Sequence, residues 1–242
     1  MDHTPNAISL TELLPLLGTH RMPQLLDVRL PEDIAQNPHR LPTARHVPHN
    51  QVVAFADRLD RARRVVTICH KGQKLSHGAA AHLRSAGYDA HVLSGGSEAW
   101  RDEDYPTLAS AMGPAPGVSW VLSATRDRRA ALGAWIIRRW FDAGATLLWV
   151  PADHVQDVAD RFDAQALHDK ATLTSTCATL GLTEPDLLAH IDAIETGQTP
   201  GTTWIDTLPH LHETDEDLVE AALPILDAAW LAHRQLTGQN RI

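Results

Sequence analysis

The sequence predicts an α/β chain in two parts: a mostly parallel sheet flanked by helices over residues 1–107, and a mostly helical α+β domain over residues 119–242. Three observations predict it. The first 108 or so residues alternate short β-rich runs with helical ones, the pattern of βαβ units. Residues 108–118 are small, uncharged and rich in Pro and Gly, which reads as a linker. The pattern beyond it opens with one β-like run and then turns to long amphipathic stretches of helical period.

Taken in order, the expected strands of the first domain are a short one near Ile8, then Gln24 to Val28, Ala44 to Val47, Val65 to Ile68 and His91 to Leu93. β-branched residues dominate the fourth of these, Val65-Val66-Thr67-Ile68, which pleated surfaces favour. Helices are expected at Leu10 to Leu17, Pro31 to Gln36, Val52 to Leu59, Leu75 to Ala86 and Ser97 to Asp102, with Gly18 and Gly87 placed as C-terminal caps. In the second domain Trp120-Val121-Leu122 reads as a strand. A helix follows with Leu132, Trp135, Ile136 and Trp140 on one face, and then a strand from Thr146 to Val150. Thr183 to Asp186 and Thr214 to Asp217 resemble capped helix starts, with acids where the helix dipole favours them. Pro224 is expected to kink or interrupt the last helix, because it removes a ladder donor.

Composition narrows the function. At 242 residues, 43% hydrophobic and 21% charged, the chain has the make-up of a globular protein. No apolar run approaches the ~20 residues that cross a bilayer. The first residues, Met1 to Asn6, have neither the basic nor the apolar region of a leader, so a cytoplasmic location is expected. A net charge of −9 gives no global field for nucleic acid or an anionic membrane, and neither is expected as a partner. Arginines 58, 61, 63, 64, 126, 128 and 129 read as solvated faces and loop ends. The fifteen histidines are scattered without ligand spacing, so no metal and no cofactor is expected. Cys69 and Cys177, the only cysteines, lie in very different surroundings and are expected to be free thiols.

The chemistry concentrates at Cys69-His70-Lys71-Gly72-Gln73-Lys74, between the strand ending at Ile68 and the helix beginning near Leu75. A thiol at a strand-to-helix turn faces the unpaired N–H groups and positive end of the helix dipole, and Lys71 and Lys74 add charge of the same sign. These effects stabilise negative charge on sulfur, the reactive form. Successive N–H groups from His70 to Lys74 can turn inward as an anion-binding nest, with Gly72 permitting the turn. Each such contact to an anion contributes ~1.5–3 kcal/mol. Lys71 and Lys74 are expected to bind an anionic donor, and His70 is left between a solvent-facing and a catalytic role.

The loop and its flanks resemble the rhodanese, or sulfurtransferase, family. The likeness rests on Cys69-x-x-Gly72-x-Lys74, on Leu25-Leu26-Asp27-Val28-Arg29 with Glu32, on Ala79-Ala80-Ala81-x-Leu83-Arg84, and on Leu93-Ser94-Gly95-Gly96-Ser97-x-Ala99-Trp100. It implies a five-strand parallel sheet with the loop at the carboxyl end of a strand, where open α/β sheets bind ligands. It also implies transfer of sulfane sulfur from a thiosulfate-like donor through a Cys69 persulfide to cyanide or a thiol. Asp27 and Arg29 are expected to support the loop from the neighbouring strand, and Trp100 to pack on the sheet. Related phosphatases and arsenate reductases carry Cys-x5-Arg, one residue wider and closed by Arg. Here Leu75 stands at that seventh position and the loop has no Arg, which favours a sulfur-sized site.

Residues 119–236 resemble the C-terminal domain of chromate-resistance proteins of the ChrB type. The matching segments are Trp135 to Asp142, Leu147 to Asp153 and Leu180 to Asp186. Gly133-Ala134 stands where that family often has Cys-Pro, and Asp215-Glu216-Asp217 where it has acidic-acidic-His, so this copy is read as degenerate. Cys177, in a helical stretch, is expected to be buried. The reading is a persulfide-forming sulfurtransferase with small-molecule partners, compatible with a homodimer. The alternative is a sensor in oxyanion or sulfur stress, in which Cys69 is modified without turnover.

Overall fold

In the computed structural model, residues 6–109, 117–168, 171–199 and 202–237 are described. The expected linker falls largely at 110–116, outside the described residues, as do residues 1–5. The chain divides into two compact units, Met1–Leu17 with Arg21–Ala111, and Gly18–His20 with Met112–Ile242.

The first unit begins with β1 (Ala7–Ile8), α1 (Leu10–Leu13), β2 (Gln24–Asp27), α2 (Pro31–Gln36), β3 (His39–Arg40) and β4 (Arg45–His46). It continues with α3 (Val52–Phe55), β5 (Val65–Ile68), α4 (Lys74–Ser85), β6 (Ala90–Leu93), α5 (Gly96–Asp102) and β7 (Leu108–Ala109). Five strands form one sheet in the order β1-β6-β5-β2-β4, every pair parallel. The apolar, β-branched β5 is its middle strand and is buried along its whole length. Asp27 of β2 lies in register with Ile68 of β5, so the carboxyl ends of the two strands stand side by side just before Cys69.

Helix α4 explains itself by period: Ser76, Ala79, Ala80 and Leu83, at i, i+3, i+4 and i+7, are its buried face. Ala79, Ala80 and Leu83 join a core with Leu26, Val28, Val65, Tyr88 and Val92, to which Cys69 also belongs. Tyr88 satisfies its hydroxyl by donating to Ala56 O at 2.6 Å. The expected helix from Leu10 to Leu17 is shorter, since α1 tightens into a 3-10 turn at Leu14–Leu16 where Pro15 lacks an N–H. A 3-10 turn likewise follows α3 at Ala56–Arg58. The antiparallel pair β3–β7 was not expected; two residues a side are too few to show a period.

In the second unit β8 (Trp120–Ser123), α6 (Arg128–Ile136), β9 (Leu147–Val150), α7 (Val155–Phe162) and β10 (Gln165–Ala166) form a parallel three-strand sheet of order β10-β8-β9 and two of its helices. Then come α8 (Leu173–Thr179), α9 (Pro185–Glu195), α10 (Thr202–Thr207) and α11 (Asp215–Thr237). The helix α6 is capped by Asp127, whose carboxylate accepts from Ala130 N at 2.8 Å, and it runs into a π-helical turn at Ile137–Phe141. Helix α9 starts one residue later than its expected Thr183 cap: Glu184 takes the N-cap position, its side chain not bonding the first-turn amides. Pro185 fills the first turn, where a missing N–H costs nothing. Thr214 does cap α11, accepting from Asp217 N at 3.1 Å.

Pro224 does not interrupt α11, which runs unbroken from Asp215 to Thr237. Leu218, Val219, Ala222 and Leu223 before and beside the proline, and Leu226 and Trp230 after it, are all buried on this one helix. Burying side chains on both sides at about 1.5–3 kcal/mol each exceeds the ~3 kcal/mol cost of an internal proline.

Around that helix Trp135, Trp140, Trp230, His190 and His233 form one aromatic cluster, its ring centroids 4.8–6.4 Å apart. Buried Asp227 accepts from Trp135 Nε1 at 2.9 Å and from Arg139 Nε at 2.9 Å. Burial, with His233 alongside, lowers the pKa of His190 to about 4. Above pH 6.5 the imidazole is neutral folded or unfolded. Between 6.5 and 4 only the unfolded chain takes up the proton, so folding weakens by about 1.4 kcal/mol per unit, to a total of about 3 kcal/mol, and is level below. Denaturation followed by tryptophan fluorescence should show this slope, since six of the seven tryptophans lie in the second unit. In His190→Leu the slope should shrink; an unchanged slope would mean that another group titrates.

Candidate active site

The loop after β5 places Cys69 Sγ at the base of a cradle. The sulfur accepts a hydrogen bond from Gln73 N at 3.1 Å and lies 3.1 Å from Ser76 Oγ. Cys69 is only 4% exposed, so a reactant must come to it through the loop. Ser76, third residue of α4, projects back toward the helix start as helical side chains do, and its hydroxyl also lies 3.0 Å from Gln73 O. Thr67 of β5 donates its hydroxyl to Ser76 O at 2.8 Å, which ties the helix start to the strand.

The far wall of the cradle is the turn from β6 into α5. The first-turn amides of α5, which have no partner within their own helix, donate to the loop: Ser97 N to Cys69 O at 3.0 Å and Glu98 N to His70 O at 2.9 Å. The two backbones meet because both carry glycine. Gly72 (φ +63) and Gly96 (φ +64) lie in the left-handed region, and a Cβ on Gly72 would stand 2.6 Å from Leu93 O.

Of the residues predicted for the site, Cys69, Gly72 and Gln73 form the cradle itself. His70 and Lys71 turn to a residue the sequence did not single out. Glu98 Oε1 lies 3.5 Å from His70 Nε2, and Glu98 Oε2 lies 3.8 Å from Lys71 Nζ. Lys74, at the first position of α4, is exposed and has no ion-pair partner among the described residues. Asp27 and Arg29 form a buried pair, with Arg29 Nη2 2.7 Å from Asp27 Oδ2. The guanidinium goes on to donate to Asn37 O and His39 O, both at 2.9 Å. Their side chains thus bind the chain after β2, and no hydrogen bond among the described residues joins them to the cysteine loop.

Trp100 is fully buried, with Nε1 donating to Pro106 O at 2.9 Å and its ring edge-on to Tyr105. Burial pushes the thiol of Cys177 up to about 12, which leaves Cys69 as the reactive candidate. Among the described residues no three His, Cys, Asp or Glu side chains are grouped as metal ligands would be, and no helix is long and apolar enough to cross a membrane.

Sequence reasoning missed Ser76 and Glu98. Ser76 carried a usable signal, a hydroxyl on the first turn of the helix that follows the nucleophile. Glu98 carried none of its own, since its place depends on how closely two glycine turns approach.

Comparison with known proteins gives one family match: residues 9–103 match the family model described as Rhodanese-like domain. No curated protein matches the chain. Similar solved structures include a rhodanese-related protein from Thermoplasma volcanium, 22% identical, covering 43% of this chain and 99% of that one with a TM-score of 0.38. Another is a rhodanese homolog from Thermus thermophilus, 29% identical, covering 38% of this chain and 96% of that one with a TM-score of 0.30. A rhodanese-like domain protein from Staphylococcus aureus is 25% identical, covering 40% of this chain and 91% of that one with a TM-score of 0.36. Residues 9–103 are a rhodanese-like domain.

Proposed function

We propose that the chain is a sulfurtransferase that carries sulfane sulfur as a persulfide on Cys69. The observation that carries this reading is the single amide, Gln73 N, aimed at Sγ from 3.1 Å at the start of α4. A donor of that kind binds anionic sulfur more strongly than neutral thiol. In the first half-reaction Cys69 thiolate attacks the outer sulfur of a thiosulfate-like donor. The donor's S–S bond breaks, and sulfite leaves with the bonding pair. In the second, cyanide or an acceptor thiolate attacks the outer sulfur of the Cys69 persulfide, and the Cys69 thiolate departs. Gly72 and Gln73 shape the cradle, Lys74 offers charge to an incoming anion, and His70 and Lys71 form its rim. We read the second unit as a degenerate domain of the ChrB type, with Trp135 and Arg139 of its resembling segment held by Asp227.

Intact-mass measurement after incubation with thiosulfate tests the reading. Wild-type protein should gain one sulfur and Cys69→Ser none, and adding cyanide should release thiocyanate over many turnovers. A one-sulfur adduct without turnover would favour the sensor instead. No adduct with several donors would refute persulfide chemistry.

A further inference from the structure

Glu98 is a residue to which the proposed sulfur transfer gives no part, yet it is the acid nearest the cations of the loop. Its place is fixed at the backbone, where Glu98 N donates to His70 O at 2.9 Å. Its carboxylate then spans two consecutive side chains that follow the nucleophile, 3.5 Å from His70 Nε2 and 3.8 Å from Lys71 Nζ. The other imidazole nitrogen, His70 Nδ1, is buried without a partner, so Nε2 is the one joined to Glu98. The carboxylate therefore offsets the charge of Lys71 and leaves Lys74 as the loop's unpaired cation. Taken over Lys71, Lys74 and Glu98, the rim carries a net charge of +1 instead of +2.

From this we infer that Glu98 is a specificity-determining residue that turns the site from dianionic donors toward monoanionic ones, the organic thiosulfonates and persulfides. The inference rests on the sulfur-transfer reading and concerns which donor serves it. A dianion feels twice the repulsion from the carboxylate that a monoanion feels, while both gain the same amide, Gln73 N, at the sulfur. The chemistry balances for either. With a thiosulfonate, Cys69 thiolate takes the terminal sulfur, the donor's S–S bond breaks, and a sulfinate leaves with the electron pair, as sulfite does from thiosulfate.

Steady-state kinetics of the full chain with thiosulfate and with methanethiosulfonate, cyanide being the acceptor for both, tests this. In a double displacement kcat/KM for the donor reports the donor half-reaction alone, so the shared acceptor cancels. In Glu98→Gln the ratio of kcat/KM for thiosulfate to that for methanethiosulfonate should rise about threefold at low ionic strength, the effect of one extra unit of charge at several ångströms in water. At about 0.5 M salt the rise should vanish, and Glu98→Asp, which keeps the charge, should hold the wild-type ratio. An unchanged ratio in Glu98→Gln, with both donors still loading Cys69, overturns the inference and leaves sulfur transfer standing. Failure of both donors to load wild-type Cys69 overturns sulfur transfer itself.

Discussion

A Gly96→Ala protein should lose sulfur loading at Cys69 and about 3 kcal/mol of stability. A Cβ at this position would stand 2.3 Å from Cys69 O, 2.4 Å from Gly72 N and 2.6 Å from His70 O. All three are backbone atoms, which cannot swing aside as a side chain end can. The left-handed φ of +64 adds about 1–2 kcal/mol for any residue with a Cβ, and overpacking typically about 1–3 kcal/mol more. Relief can come only by moving the cysteine loop away from α5, which would pull the Ser97 and Glu98 amides off the carbonyls of Cys69 and His70. Urea denaturation and intact-mass loading report the two effects separately. Gly78→Ala is the control: nothing lies within 4 Å of its new methyl, and on α4 the change should stabilise by about 0.5–1 kcal/mol. Equal loading by both variants would show that the approach of the two turns is not what forms the cradle.

The second large effect is expected at the pair behind the loop. Removing the carboxylate in Asp27→Ala leaves the Arg29 guanidinium, 1% exposed, with carbonyl partners but no counter-charge. Breaking a buried pair from one side costs about 3–5 kcal/mol. Asp27→Asn should cost nearly as much, because it keeps the shape and not the charge. The double variant Asp27→Ala with Arg29→Met should recover a good part, since no charge is then stranded. Thermal or urea unfolding of wild type, Asp27→Ala, Arg29→Met and the double variant completes the cycle. Additive losses would mean that the pair is not coupled and that Arg29 acts through Asn37 O and His39 O alone.

How far the sequence speaks for this molecule depends on the range of the interaction involved. The β-branched run at 65–68 and the 76, 79, 80, 83 face of α4 announce themselves through local period, and with them the placing of Cys69 at a strand-to-helix turn. Pairs of two residues, such as β3 with β7, have no period to read. Neither has Pro224, where only burial along the whole of α11 decides that the helix continues. At the site, Gly72 was legible as a conformational requirement of its own loop. The partner that makes Gly72 necessary, Gly96, lies 24 residues away, and Glu98 comes with it. For Arg29 the sequence indicated an ionic role near the loop. Its carbonyl partners at Asn37 and His39 place that role instead in holding the chain that leaves β2.

Ser76 has one hydroxyl proton and two neighbours that can receive it, the sulfur of Cys69 and the carbonyl of Gln73. The carbonyl also receives the amide of His77 at 3.0 Å, so it is not stranded when the hydroxyl turns away. The hydroxyl is therefore a rotor with a reserve partner. While the sulfur keeps its own proton, Ser76 can rest on the carbonyl and receive the S–H; when the sulfur becomes an anion, rotation about the Cβ–Oγ bond brings a second donor onto it. The pocket meets each change of charge on the sulfur by moving one hydrogen atom and no part of the chain.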